Sequence, residues 1–155
     1  MKIDTVKTCD IEAWLALVRE VEPLFGPMIG TDGFQEHLAA VIGEASAFAI
    51  RNDRGDLCGV VAVSREKNEI EWLAVDSRDR QHGLGEKLLA HAIQMLDAQR
   101  PITVQTFAED VPAGRSARTL YRKFAFQEIG PAGLNPAGLP TVILERAATN
   151  HSMEV

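Results

Sequence analysis

The segment Arg80-Gln81-His82-Gly83-Leu84-Gly85 lies between a strand-like run, Glu69 to Val75, and an amphipathic helix carrying Leu88, Leu89, Ala92, Ile93 and Leu96. No other stretch constrains the chain as much. Two glycines at a strand-to-helix turn let backbone N–H groups approach a ligand closely, and the positive end of the following helix favours an anion, most often phosphate. The turn predicts a bound phosphorylated cofactor.

A chain of 155 residues suits one domain with a real core. Its 46% hydrophobic and 25% charged residues are ordinary globular composition, which predicts a soluble protein. The net charge of -6 argues against a nucleic-acid binder, since that affinity comes from clustered Lys and Arg. The start, Met1-Lys2-Ile3-Asp4, lacks a long apolar stretch, and no run of about 18 apolar residues suggests a membrane span. A cytoplasmic location is expected. Cys9 and Cys58 have no C-x-x-C spacing, and His37, His91 and His151 have no metal-ligand spacing, so neither disulfide nor metal is expected.

The elements follow from periodicity and punctuation. Ile3 to Val6 reads as a strand, and Asp10 as the N-cap of a helix with Ile11, Trp14, Leu15, Val18 and Val21 on one face, ended by Pro23. Gly26 to Gly30 reads as a loop. Asp32 with Gln35 resembles a capping box opening a helix through Phe34, Leu38 and Val41, closed by Gly43. Ala47 to Arg51 and Leu57 to Ser64 form a hairpin around Asn52-Asp53-Arg54-Gly55, and Arg65 to Asn68 turns into Glu69 to Val75. The helix after the glycine turn is expected to reach about Gln99, before Pro101. Ile102 to Phe107 is a strand, Ser116 to Phe124 a short helix, Phe126 to Ile129 a strand, Gly130 to Pro140 a loop, and Thr141 to Arg146 the last strand. This order predicts an α/β (α+β) fold, a mixed sheet with helices on both faces, in a single domain over residues 1–146 with a polar tail over 147–155.

Other phosphate loops fail on spacing. A dinucleotide fingerprint from Gly83 wants a third glycine at Leu88, and a P-loop wants Gly-Lys then Ser or Thr where the chain reads Gly85-Glu86-Lys87. An isolated Gly-x-Gly would be a surface turn, but Arg80 and the preceding strand weigh against that reading.

Arg80 to Gly85 fits the pattern Arg/Gln-x-x-Gly-x-Gly/Ala, and Ala117-x-x-Leu120-Tyr121-x-Lys123-x-Ala125-Phe126 follows with a tyrosine. In these two stretches, and in the strand Trp72-Leu73-Ala74-Val75, the chain resembles the GNAT N-acetyltransferase family. There are two departures: Gly114 stands where many members have Asn, and Ala125 where Gly is usual. The resemblance implies a mostly antiparallel sheet of six to seven strands, about four helices and a splayed central strand pair. It implies acetyl-CoA as cosubstrate and no metal. Amides from Gln81 through His82, Gly83, Leu84 and Gly85 to Glu86 would cradle the CoA pyrophosphate, with Arg80 adding charge. The backbone along Leu73, Ala74 and Val75 would pair with pantetheine like a further strand, and a β-bulge would open the sheet there.

A lysine-like amine, with pKa about 10.4, is mostly protonated at neutral pH and must lose a proton before it attacks. Strand alternation places Glu69 and Glu71 on one face with Leu73 as candidate bases, Glu69 matching the base position of some family members. Both carboxylates also suit solvent or a cationic acceptor. Tyr121, the one tyrosine, is the candidate acid for the departing thiolate, against a reading as core aromatic beside Leu120 and Phe124. Ser116 is either a CoA contact or a helix cap. Arg115, Arg118, Arg122 and Lys123 read as a solvated helix face that can meet the CoA 3′-phosphate, Trp72 as a core residue alternating away from the glutamates, and Trp14 as core.

The expected function is acetyl-CoA-dependent transfer to an amine by direct attack in a ternary complex, no cysteine nucleophile being well placed. A non-catalytic acyl-CoA-binding module is the competing reading. By the resemblance, the acceptor is set by Glu22 to Phe34 and Gly130 to Pro140, whose composition does not choose between a small-molecule amine and a protein amine. Homodimer formation is compatible with the family. No nucleic-acid or membrane partner is expected.

Overall fold

In the computed structural model, which describes residues 2–26, 33–79 and 82–149, seven strands form one open sheet, with two inner strands, Ala47–Arg51 and Leu57–Ser64, buried almost throughout. In chain order come β1 (Lys2–Thr5), α1 (Ile11–Phe25), α2 (Phe34–Gly43), β2 (Ala47–Arg51), β3 (Leu57–Ser64), β4 (Glu69–Val75), α3 (Leu84–Met95), β5 (Ile102–Phe107), α4 (Arg115–Lys123), β6 (Phe126–Leu134) and β7 (Pro140–Arg146). The strand order is β1-β2-β3-β4-β5-β7-β6. Every neighbouring pair is antiparallel except β4 with β5. The expected mixed, mostly antiparallel α/β architecture with a splayed central pair is what the chain adopts.

Each face of the sheet buries its own apolar layer. On one face α3 and α4 press Leu84, Leu88, Leu89, Ala92 and Tyr121 onto Val61, Val63, Ile70 and Val104. On the other, α1 and α2 bring Trp14, Leu15, Val18, Leu38 and Val41 onto Ala47, Ala49, Val60 and Ala62. Trp14 is core, as its place in the helical stripe predicts.

Several boundaries differ from the sequence expectation for local reasons. Asp10 makes no cap hydrogen bond to α1. Its carboxylate instead accepts two bonds from the Arg51 guanidinium at 2.9 and 2.8 Å and one from the Lys7 amide at 2.9 Å. The Arg51 hydrogen bonds hold its pKa below the ordinary carboxylate value, against the opposing effect of burial. Pro23 does not end α1 but lies inside its last turn, where only one intrahelical donor is missing and the Gly26 amide still reaches the Glu22 carbonyl at 2.7 Å. At α2 the N-cap is Gly33, with φ +81°, and no side chain caps it; Asp32 and most of the loop expected from Gly26 to Gly30 lie outside the described residues.

The helix α3 stops at Met95 rather than near Gln99, because the Asn68 side chain accepts the Asp97 amide at 2.8 Å and draws the chain out of the helix. β6 runs on to Leu134 through residues expected to be loop. It is an edge strand with irregular register at Glu128/Gly130 and Pro131/Gly133, which is where proline and glycine are tolerated in a sheet. Of the tail, Thr149 donates its amide to the Ala98 carbonyl at 2.7 Å, and residues from 150 onward lie outside the described residues.

Candidate active site

The sheet is forked at its centre. β4 and β5 pair only at Glu69↔Thr103 and Ile70↔Val104, although both strands continue beyond those two rungs. A bulge on the other edge of β4 accompanies the fork. Ala62 faces Trp72 and Val63 faces Ile70, so Glu71 is an extra residue in the β4 ladder. The expected opening and bulge are therefore both present.

The bulge also reverses the side-chain parity that simple alternation predicts. Ile70, Leu73 and Val75 join the α3/α4 layer, while Trp72 joins the α1/α2 layer. Glu69 stands opposite Ser64, in phase with Ala62 and Trp72. Glu71 meets His37 of α2, Nε2 to Oε2 at 3.6 Å. The two glutamates thus share the α1/α2 side of the sheet but not with Leu73, and Trp72 lies on their side rather than away from them. An unbroken count of two was the wrong rule across a bulge.

Burial raises the Glu69 pKa above the ordinary carboxylate value; Lys67 opposes this and Glu71 adds to it. A carboxylate that ionises reluctantly is a better proton acceptor. His37, set aside in the sequence for lack of metal spacing, gains its significance only from the Glu71 contact, which no local pattern announces.

At the open end of the fork stands the glycine turn. Gly83 has φ +77° and is the N-cap of α3, and a glycine brings no side chain of its own to cap the helix end. The Lys87 amide bonds back to the Gly83 carbonyl at 3.2 Å, so the first-turn amides of Leu84, Gly85 and Glu86 have no intrahelical acceptor and are the donors a helix N-terminus offers to an anion. His82 and Gly83 are exposed, and Arg80 and Gln81 lie outside the described residues. A Cβ on Gly85 would meet Leu120 Cδ2 at 3.4 Å and Val75 Cγ2 at 4.0 Å, so the turn, the end of β4 and α4 converge here. Glu86 is ion-paired to Lys123 at 2.9 Å.

Tyr121 lies on α4, 5% exposed, in the same apolar layer as Leu73 and Val75 and edge-on to Phe126 at 5.5 Å. Burial pushes its phenol pKa well above the ordinary tyrosine value. Ser116 is exposed on the first turn of α4, whose N-cap is Gly114, and it makes no cap. The basic residues of α4 are not one solvated face. Arg118 is 4% exposed and donates to the carbonyls of Phe107, Ala108, Glu109 and Val111 at 2.7–3.4 Å, which ties down the β5–α4 connection. Arg122 pairs with Glu109. Arg115 is exposed.

The two family departures have structural counterparts. A Cβ at Gly114 would lie 2.6 Å from both Phe107 Cβ and Arg118 Nη1, so the space of a side chain there is already filled. Ala125 has φ +69°, the left-handed conformation that explains a glycine preference.

Among the described residues no group of three or more His, Cys, Asp or Glu side chains is placed to hold a metal, and no helix is long and apolar enough to cross a membrane. A hollow lined by Glu109, Arg118, Arg122, Ala125 and Glu128 includes two of the basic α4 residues but none of Glu69, Glu71, Tyr121 or the glycine-turn residues.

The family model described as an acetyltransferase (GNAT) domain matches residues 19–142. A ribosomal-protein-alanine N-acetyltransferase from Brucella melitensis superposes with a TM-score of 0.76 at 17% identity, covering 95% of this chain and 99% of that one. An N-acetyltransferase from Staphylococcus aureus gives 0.71 at 19%, covering 96% and 98%. A phosphinothricin acetyltransferase from Sinorhizobium meliloti, in complex with AcCoA, gives 0.72 at 17%, covering 94% and 86%. A sequence comparison with curated proteins found no match.

Proposed function

The chain belongs to the GNAT acetyltransferase family, which supports acyl-CoA-dependent acetyl transfer in general, and from there we propose direct transfer from acetyl-CoA to a primary amine in a ternary complex. The observation that carries the reading is the fork between β4 and β5, which opens toward the N-terminus of α3, where the N-cap is a glycine. In this reading the pyrophosphate docks on the amides of Gly83 to Glu86, with Gln81 and His82 extending the cradle and Arg80 supplying charge. The pantetheine lies along Leu73, Ala74 and Val75, where its amides bond the strand edge.

Glu69 takes the proton from the acceptor ammonium, directly or through water, and Glu71 with His37 holds the cation beside it. The free nitrogen attacks the thioester carbonyl carbon, the C–S bond breaks as the tetrahedral intermediate collapses, and CoA leaves as the thiolate. Tyr121 serves that sulfur. With its pKa raised by burial the phenol keeps its proton through neutral pH, whereas an ordinary thiol has a pKa of about 8.5. Full proton transfer to the thiolate would run uphill, so Tyr121 acts as a hydrogen-bond donor to the developing charge, and the proton lost by the nitrogen completes the thiol. Ser116, exposed on the first turn of α4, is a peripheral CoA contact.

Acetyl-CoA binding is measured by calorimetry, then thiol release across an amine panel with mass detection of the product. Amine-dependent release that falls roughly 10²-fold in kcat for Tyr121→Phe supports the enzyme. Binding with no amine-dependent release supports the non-catalytic module instead.

A further inference from the structure

Only two rungs join β4 to β5, yet the whole sheet is continuous through them. Next to those rungs stands Asn68, 1% exposed, with φ +54°. Its amide nitrogen donates to the carbonyls of Asp97, Arg100 and Pro101 at 3.0, 3.3 and 3.0 Å, two protons shared among three acceptors. Its side-chain oxygen accepts the Asp97 amide at 2.8 Å, and its own carbonyl accepts the Thr103 amide at 3.3 Å. One residue at the start of β4 thus grips the segment that feeds β5.

A tight turn at a strand end needs no such span. The side-chain partners of Asn68 are 29–33 positions away in sequence, in the connection between α3 and β5, the first strand of the other half of the sheet. Arg100 supplies a useful contrast. It donates to the carbonyls of Arg65 and Glu66 at 3.4 and 3.0 Å, so it braces the same turn from outside without touching the rungs.

We infer that Asn68 is the hinge pin of the donor cleft, a positioning residue that fixes the apex of the β4/β5 fork and with it the setting of the adjacent Glu69. The inference rests on the acetyltransferase reading of the fork. A parallel pair of two rungs is too short to set the angle between half-sheets by itself. The side-chain bonds of Asn68 add a buried, fully engaged polar anchor at the one point about which the halves would otherwise rotate.

The test compares Asn68→Gly, which tolerates the positive φ but removes the anchor, with Arg100→Ala, which removes the outer brace. Acetyl-CoA binding to the unaltered protein is measured first; its absence sinks the acetyltransferase reading, and hydrogen exchange on the unaltered protein then decides the pin. For Asn68→Gly the KM for acetyl-CoA should rise roughly tenfold. The acid limb of kcat/KM should also move to lower pH, because a loosened apex admits water to Glu69, whose other charged neighbours are Lys67 and Glu71, the latter facing His37. Arg100→Ala should lower Tm and leave both unchanged. The pin is overturned if Asn68→Gly loses only Tm, or if Arg100→Ala produces the same KM and pH shifts. Should Asn68→Gly fail to fold, site-resolved hydrogen exchange on the unaltered protein decides: slow exchange of the Asp97 and Thr103 amides with and without acetyl-CoA supports it, and exchange as fast as at the exposed turn residue Asp53 overturns it.

Discussion

Replacing Gly83 with alanine separates the ligand-binding role of the turn from its folding role. At φ +77° the residue lies in the left-handed region, and nothing lies within 4 Å of a built Cβ, so the penalty is conformational and not a clash. The left-handed conformation costs an L-residue about 1–2 kcal/mol, and the stiffer unfolded chain of alanine returns about 0.4–1 kcal/mol. A net loss of about 0.5–1 kcal/mol should lower Tm by roughly 1–4 °C for a chain of this size. Binding suffers more. If alanine turns the backbone out of this conformation, the amide beside it no longer points at the phosphate, and a hydrogen bond to a charged group is worth about 1.5–3 kcal/mol, or roughly 10–150-fold in Kd.

Gly85→Ala is the matched contrast. Its nearest would-be neighbours are the flexible tip of Leu120 at 3.4 Å and Val75 Cγ2 at 4.0 Å, and alanine improves helix propensity by up to about 1 kcal/mol. Tm should hold or rise and Kd should stay within about threefold, less than one hydrogen bond to a charged group is worth. Calorimetric Tm and isothermal titration with acetyl-CoA are the assays. An unchanged Kd for Gly83→Ala would refute phosphate docking on this turn, and equal damage from Gly85→Ala would refute the packing argument.

Ala125→Gly relieves the strain of φ +69° and should raise stability by about 0.5 kcal/mol, seen as a small rise in Tm with unchanged kcat. Gly114→Asn forces a Cβ into the 2.6 Å gap before Phe107 and Arg118; denaturant unfolding should show a loss of about 2 kcal/mol. Glu69→Gln should abolish the acid limb of the pH–rate profile, which lies above the ordinary glutamate value because burial raises the Glu69 pKa. The same substitution should stabilise the fold. A raised folded-state pKa means that ionised Glu69 costs stability above that pKa and nothing below the unfolded value of about 4.3, so thermal unfolding should show the gain at pH 7 and its disappearance below about pH 4.

The strands β2, β3, β4, β5 and β7 were legible in the sequence to within a residue because each is a short apolar or β-branched run bounded by turn residues. The core stripe of α1 and the strand-to-helix glycine turn were legible for the same reason, since period and local backbone demand are written in neighbouring residues. The two motifs that point to acetyl-CoA are likewise contiguous stretches.

What depends on partners distant in the chain could only be settled by the tertiary structure. The end of α3 at Met95 follows from Asn68. The length of β6 follows from its place at the sheet edge beside β7. Arg118 reads as surface charge until the carbonyls of the β5–α4 connection close around it. The side of the sheet to which Trp72 belongs, and the separation of Glu69 and Glu71 from Leu73, turn on a bulge at Glu71 that the pairing with β3 reveals. A sequence states the period of a strand, but a bulge resets its phase, and only the neighbouring strand records where.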